Sequence, residues 1–196
     1  MRNIGFLMAV ILISSAACFA QSGAVPSSVN VRYSEQISNG PAGFCGCFSM
    51  AGIAGDVAWK IHRVGGEQTA GIFGGVADIS VEHTGSVSGA PYGLTLTTLA
   101  FGPRYQFPVG KTAIFAQSLF GFTYGSNSAF PAHNTMEPSA TSLAVDLGTG
   151  IDIPFKNKRF SVRALQLEYL HTDLPNNSTN WENNLRISAG LTIHFR

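Results

Sequence analysis

From Leu185 to Phe195 every second residue is apolar. Leu185, Ile187, Ala189, Leu191, Ile193 and Phe195 alternate with Arg186, Ser188, Gly190, Thr192 and His194. Side chains of an extended strand point alternately to opposite faces, so this segment reads as a β-strand with one apolar and one polar face. The pattern recurs. Leu143, Val145, Leu147, Ile151 and Ile153 oppose Ala144, Asp146, Gly148, Gly150 and Asp152. Ile53, Gly55, Val57, Trp59 and Ile61 oppose Asp56, Ala58, Lys60 and His62, and Phe73, Ala77, Ile79 and Val81 oppose Asp78, Ser80 and Glu82. Val29, Val31, Tyr33 and Ile37 oppose Asn30, Arg32 and Gln36, with Glu35 an exception near a loop.

Breaks rich in Gly, Pro, Asn and Ser divide the chain into eight such segments. They are predicted at Ser28–Ile37, Phe48–His62, Thr69–His83, Gly93–Phe107, Thr112–Tyr124, Ser142–Phe155, Phe160–Thr172 and Asn184–Phe195. The parity of the fifth is ambiguous. The connections Arg63–Gln68, Pro108–Lys111 and Lys156–Arg159 are short, whereas Ser38–Cys47, Thr84–Tyr92, Gly125–Thr141 and Asp173–Asn183 are long. Short turns at one end and long loops at the other are the asymmetry of transmembrane β-barrels. An even strand count puts both termini with the short turns.

A soluble barrel also alternates, so the sign of the faces must be fixed. Only 12% of residues are charged, about half the usual share, too few to wet an outer surface. Ten charges fall on the polar parity inside strands: Arg32, Asp56, Lys60, Asp78, Glu82, Arg104, Asp146, Asp152, Glu168 and Arg186. They mix both signs and alternate with small residues, as a narrow lumen requires. The expectation is that Arg104 and Arg186 face inward and pair with acids among Asp78, Glu82, Asp146, Asp152 and Glu168. Gly74, Gly75, Gly148 and Gly150 are candidates for lining a thin water path.

After residue 20 no apolar run reaches the length of a membrane helix, and 22 glycines weigh against long helices. A closed barrel is the remaining way for so apolar a chain to span a bilayer. Residues 1–20 are predicted to be a signal peptide: Arg2, the apolar run Ile4–Ile13 and the Cys18-Phe19-Ala20 site before Gln21. Lipidation at Cys18 is disfavoured by Ser15 three places before it. The expected organisation is therefore an exported all-β domain over residues 21–196, an eight-stranded antiparallel transmembrane up-and-down β-barrel. Charges in that domain balance, with no basic patch for nucleic acid.

Aromatics support two interface girdles. Trp59, Phe73, Tyr105, Phe107, Phe115, Phe155, Phe160 and Phe195 flank the short turns or the C-terminus, and Phe48, Tyr92, Phe122, Tyr124, Tyr169 and Trp181 approach the long loops.

The pattern resembles the small outer-membrane β-barrel proteins of OmpA/OmpX type. The segments that carry the likeness are Phe101-Gly102-Pro103-Arg104-Tyr105, the run from Val162 to Leu170, and the run from Asn183 to Gly190. The resemblance implies a place in the bacterial outer membrane, contact with outer-membrane lipid and lipopolysaccharide, and insertion by the barrel-assembly machinery. Leu191, Ile193 and Phe195 look like the C-terminal signal read by that machinery, although Arg196 follows the aromatic.

Cys45 and Cys47 are the only cysteines after the leader and are candidates for a loop disulfide. Such a short ring would be strained, and the pair is expected to shape a loop rather than hold the barrel. A zinc site recruiting His133 and His171 lacks any local motif. Some eight-stranded barrels are lipid A deacylases with a His-x-Ser-Asn pattern, but His171 is followed by Thr172, Asp173 and Leu174, so the nucleophile is missing. No catalytic, cofactor or metal site is therefore expected. Two function classes remain: a structural or interaction protein presenting four loops to an unknown external partner, and a porin-like narrow pore for small solutes. Eight strands enclose little more than their own side chains, which favours the first. A lipid A-modifying enzyme is a distant third.

Overall fold

A computed structural model describes residues 27–39, 47–65, 71–84, 93–132, 135–157, 159–175 and 180–195. Residues 1–20, predicted to be a signal peptide, and Cys45, Tyr92 and His133 lie outside them. The eight strands are β1 (Ser28–Asn39), β2 (Cys47–Val64), β3 (Gly71–His83), β4 (Thr95–Val109), β5 (Thr112–Ala132), β6 (Thr135–Pro154), β7 (Phe160–Thr172) and β8 (Glu182–His194). Each pairs antiparallel with the next, and β8 returns to β1 to close the ring. Closure leaves the barrel wall without an unpaired edge, the condition for a sheet to sit in hydrocarbon.

The termini meet at the short-turn end. Ser28 lies opposite Ala58 and His194, and the Phe195 amide donates to the Ser27 carbonyl at 2.9 Å. At the same end Val109 pairs with Thr112 around Gly110-Lys111. Gly110 has φ 62°, which a two-residue hairpin loop requires at its first position and a side chain would resist.

The polarity is that of a globular protein turned inside out. Val31, Ile53, Phe101, Leu143 and Leu191 are exposed, while Arg32, Arg163, Arg186, Glu82 and Glu168 are among the most deeply buried side chains. An exposed apolar patch of a few hundred Å² is already unusual on a soluble monomer. Here the apolar surface runs round the whole barrel, so the solvent it faces is lipid.

Besides shifts of one or two residues at strand ends, several details differ from the sequence reading. Gly125–Thr141 is not a loop. β5 and β6 continue past the rim as a hairpin, with Ser126 opposite Ser139 and Ala132 opposite Thr135, while β4 stops pairing at Ser126 and β7 begins at Ala144. Its Gly, Ser, Asn and Pro content suggested irregular structure, but ladder bonds come from the backbone, and Phe130 anchors the hairpin by packing on Met50, Leu96 and Leu174. Phe48 joins that cluster instead of the outer girdle. Phe115 also leaves the girdle and is fully buried, because inward residues on β5 are Phe115, Gln117, Leu119, Gly121 and Thr123. β2 reaches Val64, with a bulge between Lys60 and His62.

The face assignment predicts asymmetric tolerance. Leu147 is exposed on the outer face of β6, between Ser118 and Tyr169. Leu147→Arg is expected to lower stability by about 2–4 kcal/mol, the midplane cost of arginine on a lipid-facing strand. The inward Ser142→Thr change should cost less than about 1 kcal/mol. Urea titration after refolding into vesicles reads both.

Candidate functional site

The distinctive chemistry lies in the lumen. A charge sealed in a narrow barrel has only other side chains to replace water, so each must find a partner. Asp56 on β2 is the centre. Its Oδ2 accepts from Arg32 Nη1 at 3.1 Å and from Arg163 Nη1 at 2.6 Å, and its Oδ1 accepts from Arg104 Nη1 at 3.0 Å. One carboxylate thus ties β1, β4 and β7 to β2. Arg32 also pairs with Asp78 and lies 3.6 Å from Glu168. Asp152 holds Arg163 with both oxygens, at 2.9 Å to Nε and 3.2 Å to Nη2, the fork geometry that favours arginine over lysine.

A second focus lies nearer the long loops. Arg186 on β8 reaches Glu82 at 3.2 Å, Glu168 at 3.5 Å, Asp146 at 3.6 Å and Asp78 at 4.0 Å. Gln117 and Gln166 link the two foci. Gln117 accepts from Arg104 at 2.6 and 2.9 Å and donates to Glu168 at 3.1 Å. Gln166 accepts from Arg163 at 2.9 Å and donates to Glu168 at 2.6 Å. The Phe115 ring is within reach of two guanidiniums, its centroid 4.5 Å from Arg104 Cζ and 4.5 Å from Arg163 Cζ, a doubled cation–π contact in a desolvated site.

Nine of the ten charged positions read on the polar parity are buried in this assembly. Lys60 is not: it is exposed at the short-turn mouth, beside Trp59 and Gly74, because its strand is there leaving the barrel. Arg186 takes partners from the expected acids, but Arg104 pairs with Asp56, outside that set. Gly148 and Gly150 leave no open path, whereas Gly74 lines a small recess at the short-turn mouth. A Cβ on Gly150 would stand 2.5 Å from the Phe115 ring, and one on Gly148 would stand 3.0 Å from Glu168 Cγ and 3.1 Å from Gln117 Cγ. They make room for those side chains. Gly75 faces the outside, near Ile61.

Arg163 is the member that simple parity misses. It is three residues from Gln166, so a regular strand would turn one of them to lipid. β7 instead bulges: Arg163 pairs with Gly190 and Gln166 with Ser188, while Ile151 pairs with Leu165 and Asp152 with Arg163. Ala164 and Leu165 both end outside, and Arg163 and Gln166 both end inside. An extra residue on one strand is the device that re-aims a side chain in this way. The signal was in the sequence, since an arginine on the lipid parity beside Ala164-Leu165 demands a register shift.

The remaining candidates are spread apart. At the loop end His171 lies 3.3 Å from Asp173 and 3.0 Å from Asn183, with Trp181 edge-on at 5.5 Å. At the other end Ser161 and His194 are hydrogen-bonded at 2.9 Å, but Ser161 is 1% exposed, which keeps a substrate carbonyl from its hydroxyl. Cys47 opens β2, but its side chain, like Cys45, is outside the described residues. Leu191, Ile193 and Phe195 are exposed on the apolar face.

An ion-paired interior inside an apolar exterior defines a transmembrane eight-stranded β-barrel, and the fold is that of the small outer-membrane barrels of OmpA/OmpX type. The crystal structure of Neisserial surface protein A is similar to it, with TM-score 0.63 and 12% identity over 88% of this chain and 99% of that one. Ail, the attachment invasion locus protein of Yersinia pestis, is similar with TM-score 0.52 and 11% identity over 87% of this chain and 100% of that one. No protein-family model matches the chain, and the search of curated proteins gives no significant match. At these identities the likeness is one of fold.

Breaking the centre should be costly. Asp56→Asn leaves three arginines short of a counter-charge and is expected to destabilise the barrel by roughly 3–5 kcal/mol. Glu137→Gln, on the exposed hairpin, should change stability by less than about 0.5 kcal/mol. Urea-dependent loss of heat-modifiable gel migration compares the two.

Proposed function

We propose that this protein is a closed anchor in the bacterial outer membrane, which holds a rigid hairpin and the loop ends beyond the lipid surface for contact with an external partner. The observation that carries this reading is the combination of a filled lumen with a projecting hairpin. Among the described residues the axis is occupied by the Asp56 and Arg186 assemblies and, toward the loops, by the apolar layer of Met50, Leu96, Phe130 and Leu174. That filling favours an anchor over a small-solute pore. The hairpin is tied to this layer through Phe130, so its position follows that of the barrel. Its outer residues, including Met136 and Glu137, are exposed. Lipid and lipopolysaccharide would surround the wall, and Leu191, Ile193 and Phe195 would serve the assembly machinery.

The reading fixes an orientation. In a Cys45→Ser, Cys47→Ser background, Met136→Cys is expected to react with a membrane-impermeant maleimide on intact cells. Lys111→Cys, in the two-residue turn at the other end, should react only after the outer membrane is permeabilised. The reverse pattern would invert the topology, and labelling of both on intact cells would remove the protein from the membrane.

A further inference from the structure

The fixed charges of the two ends have opposite sign. Among the described residues, every lysine and arginine is either in the lumen or at the short-turn end. Arg32, Arg104, Arg163 and Arg186 fill the lumen. Lys60 and Arg63 near the end of β2, Lys111 in the β4–β5 turn, and Lys156 and Arg159 in the β6–β7 turn are exposed. In sequence Lys158 adds to the last turn and Arg196 to the C-terminus, against a single acid, Glu67, in the first turn. The long connections at the other end contain no lysine or arginine, and their charges are Glu137, Asp173 and Glu182. Glu35 lies on the wall of that same half.

The basic residues come from three hairpins set round the closed ring, so they form a collar and not a one-sided patch. Its height is marked by aromatics. Trp59 precedes Lys60, Phe155 precedes Lys156 and Phe160 follows Arg159, and both phenylalanines are exposed on the wall. Exposed aromatics of this kind sit at the membrane–water interface, and long basic side chains beside them lay their stems on apolar surface and their charges among the headgroups. The turns carry the charges little farther. Gly110-Lys111 is a two-residue turn, and across the β6–β7 turn the Phe155 amide donates to the Phe160 carbonyl at 2.9 Å.

We propose that this collar binds anionic glycerophospholipid headgroups of the periplasmic leaflet, and so gathers negatively charged lipid around one end of the barrel. The sign of the charge selects an anion, and Lys and Arg donors match phosphate oxygens. The height selects a lipid, because turns this short end at the headgroup layer and would hold a soluble periplasmic polyanion only at its edge. Each basic group near an anionic bilayer surface adds to the attraction, and the described residues of this end expose no acid to offset it. The side of the membrane rests on the orientation proposed above.

The two tryptophans of the chain, Trp59 and Trp181, stand at opposite ends and make the test local. Full-length mature protein carrying Trp181→Phe or Trp59→Phe would be refolded into vesicles of phosphatidylcholine and phosphatidylglycerol. One lipid at a time would carry bromine in its acyl chains, at equal mole fraction. Brominated phosphatidylglycerol is expected to associate with the Trp59 site roughly three- to fivefold over brominated phosphatidylcholine, and the preference should fall toward unity at about 0.5 M salt. The Trp181 site should show none. Combined Lys60→Gln, Arg63→Gln, Lys111→Gln, Lys156→Gln and Arg159→Gln should abolish the preference at Trp59, with heat-modifiable migration confirming the fold. Both leaflets of these vesicles are alike, so the result does not depend on orientation in the cell, which the cysteine labelling reads separately. Equal quenching by the two lipids at Trp59, an equal preference at both tryptophans, or an unchanged preference in the folded five-site variant would overturn the proposal. So would sedimentation with purified peptidoglycan that the five-site variant loses, in the absence of any lipid preference, since it would assign the collar to a periplasmic polymer.

Discussion

Asp56 accepts three arginines from three strands, and much else in the molecule follows from the need for that contact. With lipid outside, the apolar residues of each strand must point outward, and the polar ones are confined to a space about as wide as their own side chains. Among the described residues, four arginines and six acids share that space. The arrangement in which they touch also joins distant strands, so the same contacts that compensate desolvation fix the cross-section of the barrel.

The irregularities of the wall serve this interior. The bulge in β7 gives Arg163 an inward course that a regular strand would deny it, and it sets two consecutive residues on the outer surface. Gly150 lacks a side chain where Phe115 must lie, and Phe115 in turn offers its ring to both Arg104 and Arg163. Toward the loops the polar network gives way to Met50, Leu96, Phe130 and Leu174. That layer closes the axis and anchors the projecting hairpin.

Much of the architecture could be read from side-chain parity alone, because the lipid and the lumen sort residues more sharply than water and a core do. The strand count, the meander, the faces of β1, β2, β3, β6 and β8, and nine of the ten lumen charges follow from it. It failed where the period changes or residue size outweighs polarity. β5 was ambiguous because Phe115 and Leu119 face the lumen while Ala116 and Ser118 face out, an inversion that filling the lumen requires. The hairpin from Gly125 to Thr141 was hidden by its composition, since its pairing depends on Phe130 and on the opposite strand. Arg163 was missed because a bulge leaves no trace in a two-residue period except the misplaced charge itself. No pattern in the chain specifies what touches the hairpin.

A double-mutant cycle on Asp56 and Arg163 tests most directly whether the interior is one coupled assembly. Asp56→Asn, Arg163→Met and the double variant would be refolded into vesicles and titrated with urea alongside the parent. Because each single change leaves a buried charge exposed to its former neighbours, the double variant is expected to lose less than the sum of the singles, by about 1.5–3 kcal/mol. Additivity within about 0.5 kcal/mol would mean that the two residues act independently, and it would contradict the account of a lumen held together through Asp56.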